Sequence, residues 1–185
     1  MMQDVKKSAE SRMKKTVKAL HEEFNTIRTG RASSALFDKI KVDYYGNPSP
    51  LNQVATISTP EARLVVIQPW DKSVINDIEK AIQKSELSVN PMNDGKVIRI
   101  SIPPLTEERR KDYVKMAKNM AEQSRISIRN IRRDANDELK EAQKSGDISE
   151  DEAKRGEDEI QKITDTYIDE INSVLEEKEK EIMEV

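Results

Sequence analysis

The sequence predicts an α+β protein: an antiparallel three-helix bundle made from both chain ends, with a small β/α/β domain inserted between its first and second helices. Three observations predict it. Apolar residues recur at helical spacing near both ends of the chain, over about residues 4–28 and then from Thr106 to Ile182 with one break at Ser145-Gly146. Residues 31–103 instead carry short β-rich runs punctuated by proline. The link between the two C-terminal stripes is too short for anything but a hairpin. The bundle is therefore expected from residues 1–30 and 104–185, the inserted domain from residues 31–103, and the joints at 29–31 and 102–105. A chain that is 35% hydrophobic and 36% charged suits long amphipathic helices better than a compact globule.

The first helix is read from Val5, Ala9, Met13, Val17, Leu20, Phe24 and Ile27, with Gly30 as its stop. Strands are expected at Lys39 to Tyr45, Val54 to Ser58, Arg63 to Gln68 and Lys96 to Ile102. Asn47-Pro48-Ser49-Pro50 reads as a turn, and Thr59-Pro60-Glu61 as a break between strands. Ser73 is placed to cap a short helix whose inner face is Val74, Ile75, Ile78 and Ile82. Asn90-Pro91 stops anything helical by then. Pro103-Pro104 closes the inserted domain, because proline cannot extend a strand ladder.

Thr106 then caps the second long helix, with Glu107 and Glu108 at its positive end. Its inward stripe is Tyr113, Ala117, Met120, Ser124, Ile128, Ile131, Ala135 and Leu139. Ser145-Gly146 ends it, and Ser149 with Glu152 forms a capping box for the third helix. That helix buries Ala153, Ile160, Ile163, Tyr167, Ile171, Val174 or Leu175, and Ile182. At about 1.5 Å per residue, the second and third helices each run roughly 50–60 Å.

Composition removes several function classes. The chain has no cysteine, which excludes disulfides, thiolate metal sites and a cysteine nucleophile. No apolar run approaches the ~20 residues of a membrane span, and Met1 to Glu10 has no apolar core of a signal peptide. A soluble cytoplasmic protein without a membrane partner is expected. The one histidine, His21, lies off the apolar stripe with no acid–base partner set by spacing. No second histidine completes a metal set. Gly30 and Gly95 are isolated, so no glycine loop cradles a phosphate. Trp70 and Tyr44-Tyr45 could stack bases, but they fall in or beside strands, where packing in the core or between domains is their commoner use. No catalytic residue, metal site or cofactor is expected.

Charge is segregated. Residues 146–185 hold fifteen acidic and five basic side chains, whereas residues 105–145 hold eleven basic and eight acidic. With Arg110 as origin and ~100° per residue, Arg132, Arg125, Lys118, Arg129, Lys111, Lys115 and Arg133 fall between about 40° and 140°. Arg125, Arg129, Arg132 and, at the edge, Arg133 are expected to face outward, with no acid at the centre of their arc. Like charges at i, i+4 cost a few tenths of a kcal/mol each, so a row of arginines reads as a polyanion-binding face. With no aromatic among them, the contacts would be to phosphate backbone. The other reading is a helical adapter that binds an acidic protein surface through the same arginines. The acidic third helix is expected to orient docking by repelling RNA.

Three longer motifs carry a resemblance. Ile27-Arg28-Thr29-Gly30-Arg31-Ala32, Pro103-Pro104-Leu105-Thr106-Glu107-Glu108-Arg109-Arg110 and Arg129-Asn130-Ile131-Arg132-Arg133-Asp134-Ala135-Asn136 resemble the ribosome recycling factor family. The likeness spans the chain; one departure is Ser34, where the family often has proline. The resemblance implies an L-shaped, two-domain monomer that is no enzyme. It implies action on the ribosome after termination, jointly with elongation factor G, which uses the GTP. The pair would split the subunits and free messenger RNA and deacylated transfer RNA. Carried over by motif, contacts to large-subunit ribosomal RNA would come from Arg110, Arg129, Arg132 and Arg133, with Arg28 and Arg31 near the joint. Arg125 and Lys118 join them on the wheel. The head would pivot at Thr29, Gly30, Pro103 and Pro104.

Overall fold

The computed structural model describes residues 2–27, 29–87 and 89–184. The chain divides into two compact units: Met1–Thr29 with Glu107–Val185, and Gly30–Thr106.

The first unit is a bundle of α1 (Met2–Phe24), α3 (Glu107–Lys144) and α4 (Glu150–Met183), each packed against both others. The apolar stripes become its core: Met13, Leu20, Ile128, Leu139, Ile160 and Ile171 are all buried within it. Burying each such side chain contributes about 1.5–3 kcal/mol. α1 ends at Phe24, earlier than the stripe predicts. Ile27 is still buried, but from a turn, since Ile27 N donates to Phe24 O at 3.1 Å.

The α3–α4 hairpin follows from its punctuation. Gly146 takes φ +82°, Asp147 N donates to Ala142 O at 2.9 Å, and Gly146 N donates to Gln143 O at 3.1 Å. That bond pair closes a helix end on a left-handed residue. Ser149 Oγ then accepts from Glu152 N at 3.1 Å and starts α4. Gly156 is buried, and a Cβ there would stand 3.0 Å from Leu139 Cδ1. The glycine lets α3 approach α4 closely.

Among the described residues the second unit holds six strands in two sheets, not four strands. β1 (Lys41–Tyr44) and β2 (Asn47–Pro50) form an antiparallel hairpin. β3 (Ala55–Glu61), β4 (Leu64–Pro69), β5 (Pro91–Asn93) and β6 (Ile98–Ser101) form a sheet ordered β3-β4-β6-β5. α2 (Ile75–Lys84) packs its Ile78 and Ile82 into one core with Val65, Ile67, Ile98 and Ile100.

The expected turn at Asn47 to Pro50 is a strand. The turn is Tyr45-Gly46, with φ +48° and +84°. Counting from the Tyr44–Asn47 pair that closes this two-residue turn, Pro48 and Pro50 fall opposite Asp43 and Lys41, at the non-hydrogen-bonded positions of the ladder. Their missing N–H groups therefore cost nothing there. Thr59-Pro60-Glu61 likewise lies inside β3, where the register with β4 shifts between Ser58 and Glu61. Asp71, rather than Ser73, caps the turn that leads into α2: its carboxylate accepts from Ser73 N at 2.9 Å.

Candidate nucleic-acid interface

α3 is one uninterrupted helix, so it fixes its side chains on a rigid rod. Arg110, Lys118, Arg125, Arg129, Arg132 and Arg133 all lie on it, spread over about 35 Å from first to last at ~1.5 Å per residue. They do not stand free in solvent as a uniform outward row. Arg110, Arg125, Arg129 and Arg132 are half-buried, while Lys118 and Arg133 are exposed. Arg110 Nε is buried with no hydrogen-bond partner among the described residues.

The arc is not free of acid. Glu122 sits at about 120° on the same wheel, between Arg129 and Arg133. Glu122 Oε2 accepts from Arg125 Nη1 at 2.9 Å, and its Oε1 accepts from Arg129 Nη1 at 3.4 Å. The hydrogen bond from Arg125, with the charge of both guanidiniums, holds the Glu122 carboxyl below the usual carboxylate range. Glu107, at the start of the same face, pairs with Lys111 at 3.5 Å. The spacing of Glu122 to Arg125 and Arg129, three and seven residues on, is the signal from which sequence reasoning could have found it.

Helix α4 supplies the other partners. Arg125 Nε donates to Asn172 Oδ1 at 2.9 Å, and Arg132 Nη1 to Gln161 Oε1 at 3.3 Å. Lys118 Nζ lies 3.9 Å from Glu179 Oε1. Arg125 and Arg132 thus lie along the seam of α3 with α4, where α4 holds their guanidiniums. Arg133 forms no ion pair among the described residues. Such an arrangement presents several cations along one helix, the kind of group that binds backbone phosphate.

The remaining predicted positions lie elsewhere. Arg31 is exposed and belongs to the second unit. Arg28 lies outside the described residues. Gly30 has φ +78°, and a Cβ on it would stand 3.3 Å from Leu105 Cγ. Pro103 and Pro104 lie in the irregular segment between β6 and α3, within the second unit.

Tyr44 is half-buried and packs against the core of the second unit, whereas Tyr45 and Trp70 do not. Trp70 is 66% exposed and Tyr45 69%, so neither is a core residue. Each is tethered by its polar end: Trp70 Nε1 donates to Thr56 Oγ1 at 2.9 Å, and Tyr45 Oη to Asp71 Oδ2 at 2.6 Å. Among the described residues, no cluster of His, Cys, Asp or Glu could hold a metal, and no helix is long and apolar enough to cross a membrane.

Comparison with known proteins supplies an independent line. A family model described as ribosome recycling factor matches residues 20–183. The ribosome-recycling factor of Treponema denticola is 68% identical over 184 residues, and that of Halothermothrix orenii is 58% identical over 185, each aligned over the full length of both chains. A solution structure of a ribosome recycling factor superposes with TM-score 0.76 at 48% identity, covering 100% of this chain and 98% of the other. A second, from models for the T. thermophilus ribosome recycling factor and the E. coli elongation factor G bound to the E. coli post-termination complex, superposes with TM-score 0.64 at 47% identity, covering all of both chains. Motifs, fold, family model and full-length relatives agree: this chain belongs to the ribosome recycling factor family.

Proposed function

We propose that this protein acts after translation termination, together with elongation factor G, to split the ribosome into subunits and release messenger RNA and deacylated transfer RNA. The observation that carries the reading is the full-length match to a factor bound with elongation factor G on a post-termination complex. The α3 row supplies the physical means. Arg110, Lys118, Arg125, Arg129, Arg132 and Arg133 hold large-subunit ribosomal RNA through phosphate contacts, with Arg28 and Arg31 contributing near the joint. A bundle so anchored is a fixed support. The second unit pivots on Thr29, Gly30, Pro103 and Pro104 when the partner engages it. GTP is consumed by elongation factor G, so this chain needs no cofactor and catalyses no reaction of its own. It works as a cytoplasmic monomer.

A subunit-splitting assay by light scattering tests the proposal. Splitting is expected only when this protein, elongation factor G and GTP are all present. Splitting that persists without this protein, or that proceeds without elongation factor G, contradicts it.

A further inference from the structure

We propose that Gln161 and Asn172 are positioning residues that hold Arg132 and Arg125 in place for phosphate without adding an anion to either guanidinium. The inference rests on the reading of α3 as the RNA-binding row.

It starts from the composition of α4. Between Glu150 and Met183 the helix carries thirteen carboxylates and only two carboxamides, Gln161 and Asn172. Both accept from α3 arginines: Gln161 Oε1 from Arg132 Nη1 at 3.3 Å, and Asn172 Oδ1 from Arg125 Nε at 2.9 Å. A carboxylate at either position would form a charge-assisted, bidentate pair with the guanidinium and cancel its charge. An amide oxygen fixes the same fork but cancels nothing. On a helix this acidic, neutral acceptors at the two arginine contacts are the opposite of what stability alone favours.

Gln161 is itself oriented. Its Nε2 donates to Asp165 Oδ1 at 2.9 Å, which turns its Oε1 toward Arg132. The amide therefore stands between the guanidinium and the carboxylate and keeps them apart. Arg125 already shares Glu122 with Arg129. A second carboxylate at position 172 would enclose it between two anions. An ordered cation loses less side-chain freedom on binding, so the amides raise affinity through preorganisation.

The test uses the full-length protein and isolated large ribosomal subunits, with affinity measured across a salt series. Gln161→Glu and Asn172→Asp are each expected to weaken binding about five- to tenfold at low salt. Each is also expected to lower the slope of log affinity against log salt by about 0.7–0.9, the change that follows when one phosphate is no longer neutralised. Gln161→Ala and Asn172→Ala remove the holder but keep the cation, so affinity falls about two- to threefold with the slope retained. A merely structural role would move melting and leave the slope alone. Acidic variants with unchanged affinity and slope overturn the proposal, as do alanine variants that lose as much slope as the acidic ones. Arg125→Ala and Arg132→Ala are measured in parallel. If they weaken binding while the acidic variants do not, positioning alone fails. If they leave binding intact, the RNA reading of the row fails with it.

Discussion

Glu122 lies one helical turn before Arg125 and accepts its Nη1 at 2.9 Å, so an acid stands inside the basic row of α3. The same carboxylate reaches Arg129 at 3.4 Å. On the proposed reading, phosphate and Glu122 compete for two guanidiniums. Glu122→Gln is expected to strengthen binding to large ribosomal subunits about two- to fivefold at low salt and to steepen the salt dependence. Glu122 itself is exposed, so the melting temperature is expected to stay near that of the parent. Binding that weakens would show that Glu122 orients the arginines rather than competing for them.

Gly156 decides how closely α3 and α4 pack. An added Cβ would stand 3.0 and 3.2 Å from the two methyls of Leu139 and 3.3 Å from Met2 Cγ. Alanine gains about 1 kcal/mol of helix propensity over glycine. Leu139 is 1% exposed and held within the core, so it cannot give way freely. Overpacking costs about 1–3 kcal/mol. Gly156→Ala is expected to destabilise the bundle by about 1 kcal/mol in denaturant unfolding; a net gain would show that the helices can part at no cost.

Gly30 carries a positive φ beside Leu105. A β-branched residue there is strained by roughly 1–3 kcal/mol. Gly30→Val is expected to reduce the subunit-splitting rate several-fold while binding to large subunits stays near that of the parent. Undiminished splitting would remove the pivot from the mechanism.

Asp94 gives a pH signature in the second unit. Backbone N–H groups of Val97 and Lys96, and the Arg99 side chain, hold its carboxyl down to about 2. Because the folded value lies below the unfolded one, the stability it contributes is fully present above the ordinary value of 3.8. It is lost as pH falls toward about 2. Titration followed by side-chain carbonyl NMR is expected to show Asp94 still ionised at pH 3, and a midpoint at the ordinary value would contradict it.

Much of the fold is legible in the residues because one physical signal dominates each long helix. Most members of the stripes ending in Ile27, Leu139 and Ile182 are buried as their spacing predicts, with Tyr113, Met120, Ser124 and Ile163 half-buried. Gly146 and Ser149 mark the hairpin because each does a job few residues can do. The small sheets are harder to read. Pro48 and Pro50 look like breakers until the register places them at non-hydrogen-bonded positions, and β5 is only three residues long. The basic row is visible in the sequence, but its surroundings are not. Gln161 and Asn172 follow Arg132 and Arg125 by 29 and 47 residues, so only the hairpin brings them together. Glu122 was within reach of the helical wheel. The exposure of Trp70 was not, because a strand end with an apolar residue reads the same whether it faces core or solvent.

The most direct measurement is the salt dependence of binding to isolated large ribosomal subunits for the double variant Arg129→Ala, Arg132→Ala. If each of these cations neutralises one phosphate, as proposed, removing both is expected to lower the slope of log affinity against log salt by about 1.4–1.8. At low salt binding weakens by about 2–6 kcal/mol, with the melting temperature unchanged. A slope equal to that of the parent protein would show that ribosomal RNA does not engage this face of α3.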